Sequence, residues 1–141
     1  GIYLVNIRLG DYYYAHNIIA KAIESYSSAV SISMQKNRWS NLKNAYYSLA
    51  NIYLNKLGDY QLTLTYYNKI LELKLQDNER MSTWANIGEV YKNLGDYTTS
   101  LASYEQALKI VTYLISVDEK NLDYNYWFHF SWNWTHPYFN F

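Results

Sequence analysis

Cysteine is absent from this 141-residue chain, which rules out a disulfide framework and any thiolate metal site. Charge of one sign is equally missing: 12 Lys and Arg balance 12 Asp and Glu, with no basic run anywhere. Nucleic-acid-binding domains usually carry a basic patch or stripe, so a nucleic-acid partner is not expected. No uninterrupted apolar stretch approaches the roughly 20 residues that a helix needs to span a bilayer. The N-terminus lacks a basic region followed by an apolar core, so no signal peptide is expected. Gly1 in place of Met suggests a piece of a longer array, with the cytoplasm as its default location. Catalytic signatures are missing too. There is no Gly-rich phosphate loop, no Gly-x-Ser-x-Gly elbow and no His-Glu-x-x-His helix. Neither an enzyme nor a cofactor is expected.

What is present is hydrophobic and repetitive. Half of the residues are hydrophobic, too many for a disordered chain. The stretch Trp84 to Ile110 reads as two helices around the hinge Leu94-Gly95-Asp96-Tyr97. Trp84, Ile87, Gly88 and Tyr91 share one helical face, and Tyr97, Leu101, Tyr104, Ala107 and Leu108 share another. Gly95 suits the left-handed conformation that ends a helix, and Asp96 suits the cap of the next. The same Leu-Gly-Asp-Tyr stands at 9–12 and 57–60, so a hinge is expected at all three. The tyrosine signatures that follow, at Tyr26, Tyr67 and Tyr104, lie 41 and 37 residues apart. One helical hairpin per such period is the mark of an α-solenoid.

On these residues the chain resembles the tetratricopeptide repeat family, whose signature is W-x2-L-G-x2-Y, a G-x-Y turn and a later Y-x2-A-L. The third unit matches with Trp84, Ile87, Gly88, Tyr91, Gly95, Tyr97, Ser100, Tyr104, Ala107 and Leu108. The second matches with Tyr46, Leu49, Ala50, Tyr53, Gly58, Tyr60, Thr63, Tyr67, Ile70 and Leu71, with one extra residue before its hinge. The resemblance covers roughly residues 1–116. It implies an all-α solenoid of tandem helical hairpins wound into a right-handed superhelix. The expected organisation is an array over 1–117 (a partial unit 1–37, then full units 38–77 and 78–117) and an irregular tail over 118–141.

Within the array, residues 1–8 read as the end of a first helix, and Tyr12 to about Gln35 as one long helix with seven extra residues after its hinge. Ser40 is a plausible cap for a helix from Asn41 to about Lys56, and Tyr60 to about Leu75 forms its partner. Asp77 is the expected cap of the next. The family often ends a unit with proline; none of the three units here has one, so second helices are expected to run long. The tail 124–141 is mostly aromatic. Phe128, Phe130, Trp132 and Trp134 alternate with polar residues at a strand-like period. The tail could fold back on the array, dock into its groove, or stay loose, and self-association through it is a further expectation.

The resemblance also implies where a partner would sit, since first helices line the concave face in that family. The groove positions are then Asn44, Tyr47, Ser48, Asn51, Leu54 and Asn55 in the second unit. In the third they are Ser82, Ala85, Asn86, Glu89, Lys92 and Asn93. A carboxamide donates and accepts at once, so asparagine can pair with both groups of a peptide backbone. Tyr47, Glu89 and Lys92 would supply selectivity. The plainer alternative is that these are solvated polar positions in a chain rich in asparagine. A clamp for an acidic chaperone tail needs several cations facing one carboxylate, and only Lys92 is present. The Asn-rich inner helices look more like kinesin light chain-type adaptors and are compatible with peptide-sensing receptors. His16 stands alone; His129 and His136 lack metal-spaced companions, and no metal site is expected. Asn133-Trp134-Thr135 matches a glycosylation acceptor, a coincidence in a chain without a secretory signal. The functional expectation is a scaffold that holds an extended peptide or partner helix. A regulatory peptide sensor and a structural spacer are the alternatives.

Overall fold

The structure, a computed structural model, describes residues 1–121. The aromatic tail, its two histidines and the Asn133 motif lie outside the described residues. Six α-helices follow one another: α1 (Ile2–Ala15), α2 (Ile19–Gln35), α3 (Trp39–Ile52), α4 (Tyr60–Leu71), α5 (Asp77–Asn93) and α6 (Tyr97–Asn121). A π-helical turn, Tyr53–Leu57, extends α3. Each helix packs on the next in sequence, and α1 also reaches α3. This is an all-α solenoid of three helical hairpins: α1 with α2, α3 with α4, and α5 with α6.

The third hinge forms as its residues dictate. Gly95 takes φ 80°, a conformation that side-chain-bearing residues resist. The Asp96 N–H then donates to the Tyr91 carbonyl at 3.0 Å, closing the helix end. Asp96 Oδ1 accepts from the Thr99 N–H at 3.1 Å and Oδ2 from the Thr99 hydroxyl at 2.7 Å, starting α6. In the second hinge Gly58 has φ 61° and Asp59 accepts from the Leu62 N–H at 3.0 Å. Its closing bond is wider by one residue, from the Asp59 N–H to the Tyr53 carbonyl at 2.8 Å. The π-turn therefore absorbs the extra residue of that unit, leaving the buried face of α3 in register.

The first hinge overturns the sequence expectation. Leu9-Gly10-Asp11-Tyr12 lies inside α1, and no helix begins at Tyr12. The chain turns instead at His16 to Ile18, where Asn17 has φ 59° and the Ile18 N–H donates to the Tyr13 carbonyl at 2.8 Å. Asn17 follows Gly10 by the seven residues that separate Gly95 from Gly88. Gly10 is thus the counterpart of Gly88 and not of Gly95. Both face a tyrosine ring. A Cβ on Gly10 would lie 2.6 Å from Tyr26 Cδ1, and one on Gly88 2.9 Å from Tyr104 Cε1. The first and third hairpins each seat that ring on bare backbone, while the second has Ala50 at the matching position.

Other boundaries shift less. α3 starts at Trp39, so Ser40 lies inside it. α5 starts at Asp77 and is capped by Gln76, whose N–H donates to Glu79 at 3.0 Å. Among second helices only α6, at 25 residues, is much extended; α4 has 12.

The core runs between hairpins. Leu49 and Ile52 of α3 pack with Ala22 and Tyr26 of α2. Ile87 and Val90 of α5 pack with Leu64, Tyr67 and Ile70 of α4. Trp84, Tyr53, Tyr67 and Tyr91 belong to these packed clusters, as packing residues should.

Candidate functional site

The positions proposed for the groove fall into two sets. Some are committed to the fold. Tyr47 is half-buried, and its hydroxyl is hydrogen-bonded to Thr83 Oγ1 of α5; Leu54 packs against the core. The Ser48 hydroxyl donates to the Asn44 carbonyl at 3.2 Å and the Ser82 hydroxyl to the Asn78 carbonyl at 2.8 Å, so both turn toward their own helix. Glu89 accepts from the Tyr104 hydroxyl and stands 3.7 Å from Lys92. That bond is the main reason the Tyr104 hydroxyl is held above its ordinary pKa.

The asparagines are less engaged. Asn44, Asn51, Asn55 and Asn93 are exposed, and Asn86 and Ala85 are half-exposed. The Asn6 side-chain amide donates to the Ile2 carbonyl at 3.0 Å, the Asn78 side-chain oxygen accepts from the Glu79 N–H at 2.9 Å, and Asn44 stands within hydrogen-bonding reach of the Tyr3 hydroxyl. Among the described residues, the carboxamides of Asn51, Asn55, Asn86 and Asn93 make no hydrogen bond within the fold. Asn51 and Asn86 do not share a rung: counting from Ala50 and Gly88, Asn51 matches Glu89, and Asn86 matches Ser48.

The same count extends the surface to α1, which sequence reasoning left out. Arg8 matches Ser48 and Asn86, and Asp11 matches Asn51 and Glu89. Both are exposed. Asp11, expected as a hinge cap, instead accepts from the Tyr26 hydroxyl at 2.6 Å. Burial first, and the Asp11 bond second, push that hydroxyl far above the ordinary tyrosine range. A carboxylate tied to the tyrosine of its own hairpin thus recurs in the first and third units. The signal lay in Gly10, whose true counterpart is the helix-interior glycine.

Adjacent first helices are cross-linked. Lys43 of α3 pairs with Glu79 of α5. The Lys43 bond, and then the Gln76 N–H, hold the Glu79 carboxyl below its ordinary value. The Tyr3 hydroxyl of α1 donates to the Asn41 carbonyl of α3 at 3.0 Å. Among the described residues no group of three His, Asp or Glu could hold a metal, and no helix is long and apolar enough to cross a membrane. His16 ends α1 with its ring 4.1 Å from that of Tyr12.

Helical hairpins stacked in this way define a class, the helical-repeat protein. The family described as Tetratricopeptide repeat matches residues 44–77 and 82–110. These spans fall on the second and third hairpins and support a tetratricopeptide repeat family for the chain. Such repeats are generally non-catalytic protein–protein interaction modules. The match does not single out a kinesin light chain-like subtype. No curated protein matches the chain.

Proposed function

We propose that this chain is an interaction scaffold that grips an extended peptide, or the face of a partner helix, along the concave side formed by α1, α3 and α5. The open carboxamides of Asn51, Asn55, Asn86 and Asn93 carry this reading. Each can donate to a peptide carbonyl and accept from a peptide N–H. Asn44 widens the strip. Arg8, Lys92 and the tyrosine-bound carboxylates Asp11 and Glu89 add charges of both signs, which favours a partner of mixed charge over an acidic tail. Rigid helices hold these groups at fixed spacing, so little side-chain and backbone freedom is lost on binding. The array over 1–117 would do the gripping, as an adaptor does.

The test is a peptide-display selection on the 1–141 chain, followed by titration calorimetry of the enriched peptide. Asn51→Ala combined with Asn86→Ala should weaken binding about tenfold, the effect of one or two lost hydrogen bonds at about 1 kcal/mol each. An affinity unchanged in that double variant, or no enrichment from a well-folded chain, sinks the groove reading.

A further inference from the structure

The hairpins treat one tyrosine hydroxyl in two ways. Tyr26, Tyr67 and Tyr104 hold the same position, one on each second helix. In the first hairpin the hydroxyl donates to Asp11 at 2.6 Å, and in the third to Glu89. Asp11 and Glu89 are equivalent residues, each directly after the glycine on which the ring rests. In the second hairpin both of these residues are changed: Ala50 replaces the glycine and Asn51 the carboxylate. A Cβ on Gly10 or Gly88 would come closer than 3.0 Å to the ring. Beside Ala50, therefore, the Tyr67 ring cannot seat in the same place.

Tyr67 is nonetheless buried, at 3 % exposure, with its ring 6.2 Å from that of Tyr47. Among the described residues nothing hydrogen-bonds its hydroxyl. Nor is any side-chain polar atom among them sealed from solvent without a partner, so this hydroxyl keeps an opening to the surface. The repeat says which surface. The Tyr26 hydroxyl meets Asp11 of its own hairpin and lies within hydrogen-bonding reach of Ser48 of the next. The counterparts of these two around Tyr67 are Asn51 and Asn86. A buried donor thus stands between two unengaged carboxamides in the middle of the polar strip. Burial first, and Tyr47 second, hold this hydroxyl above its ordinary pKa, so at neutral pH it keeps its proton and donates.

We propose that the Tyr67 hydroxyl is a specificity-determining donor at the centre of the groove, and that it takes an uncharged carbonyl oxygen of a bound peptide. This rests on the groove reading above. In both other units the equivalent hydroxyl donates to an oxygen of the fold; in the second unit that oxygen is left for the peptide to supply. A carboxylate is the poorer fit. Neither Asn51 nor Asn86 brings a positive charge, and Asp11 and Glu89 stand on the neighbouring units. Burying an unpaired charge there costs far more than burying a hydrogen-bonded carbonyl.

The test compares Tyr67→Phe with Tyr26→Phe in the full 1–141 chain, since each variant keeps the ring and loses only the hydroxyl. Tyr67→Phe should leave the urea midpoint unchanged and weaken binding of the display-enriched peptide about tenfold in titration calorimetry. Tyr26→Phe should lower the midpoint, because Asp11 loses its donor, and leave the peptide affinity within about twofold of the parent chain. In an alanine scan of the peptide against both the parent chain and Tyr67→Phe, no Asp or Glu should lose its effect in the variant. A midpoint that falls as far in Tyr67→Phe as in Tyr26→Phe overturns the proposal, since the hydroxyl would then serve the fold. Unchanged affinity in Tyr67→Phe, where Asn51→Ala with Asn86→Ala weakens binding, overturns it and leaves the groove reading standing. An acidic peptide residue coupled to Tyr67 overturns the uncharged acceptor. A well-folded chain that enriches no peptide overturns both readings.

Discussion

At the scale of single residues, the chain uses glycine for two separate purposes. Gly10 and Gly88 are helix-interior positions where a tyrosine ring sits against the backbone, whereas Gly95 is a left-handed turn with open space where a Cβ would go. The penalty at Gly95 is therefore conformational and not steric crowding. Gly95→Val should destabilise the fold by about 1–3 kcal/mol in urea denaturation. Gly95→Asn should cost well under that, because asparagine tolerates this region and Asn17 already occupies the matching turn at φ 59°. Equal losses in the two variants would show that the turn is not what limits substitution there.

At the scale of an element, identical carboxylates do different work according to where the helix begins. Asp59 and Asp96 each cap a helix through their side chains, while Asp11 is mid-helix and bonds a tyrosine. Asp59→Ala should therefore cost about 1 kcal/mol through loss of a cap. The check is hydrogen exchange: protection should fall in the first turn of α4 before it falls elsewhere. Substituting Asp11 should leave the first turn of α2 unchanged, since Ile18 caps that helix without a side-chain bond. The periodicity of α3 and α5 was readable because their apolar stripes are long. The start of α3 was not, because Arg38 provides no side-chain cap and Ser40 offered a misleading one. The π-turn was visible in the sequence only as one surplus residue; its hydrogen bonding settled how the surplus is stored.

Across the whole molecule, stability in a repeat array is close to a sum of hairpin and nearest-neighbour terms. The Lys43–Glu79 pair is one such link between the second and third hairpins. Its partner bonds depress the Glu79 pKa in the fold, so the carboxylate contributes stability above its unfolded value. That contribution is lost as pH falls through the lowered folded value. Glu79→Gln should lower stability at pH 7 and lose less on acidification than the parent chain, as followed by denaturant midpoints from pH 7 to pH 3. Parallel curves for the two proteins would remove this pair from the acid response.

The sequence by itself determined the period, the helical-hairpin unit, the packing tyrosines and two of the three hinges, because all of these depend on residue type at local spacing. It also marked the polar strip on α3 and α5, though not which side chains there are free. Only the tertiary structure decided the first hairpin. Leu-Gly-Asp-Tyr is a hinge at 57–60 and 94–97 but helix at 9–12, so four identical residues do not specify their own conformation. What separates them is distant in the chain: Tyr26 needs bare backbone to rest on, Gly10 supplies it, and the turn is displaced to Asn17. Tertiary contact likewise consumed Tyr47 and Glu89, whose partners Thr83 and Tyr104 lie on neighbouring helices and could not be paired by spacing alone.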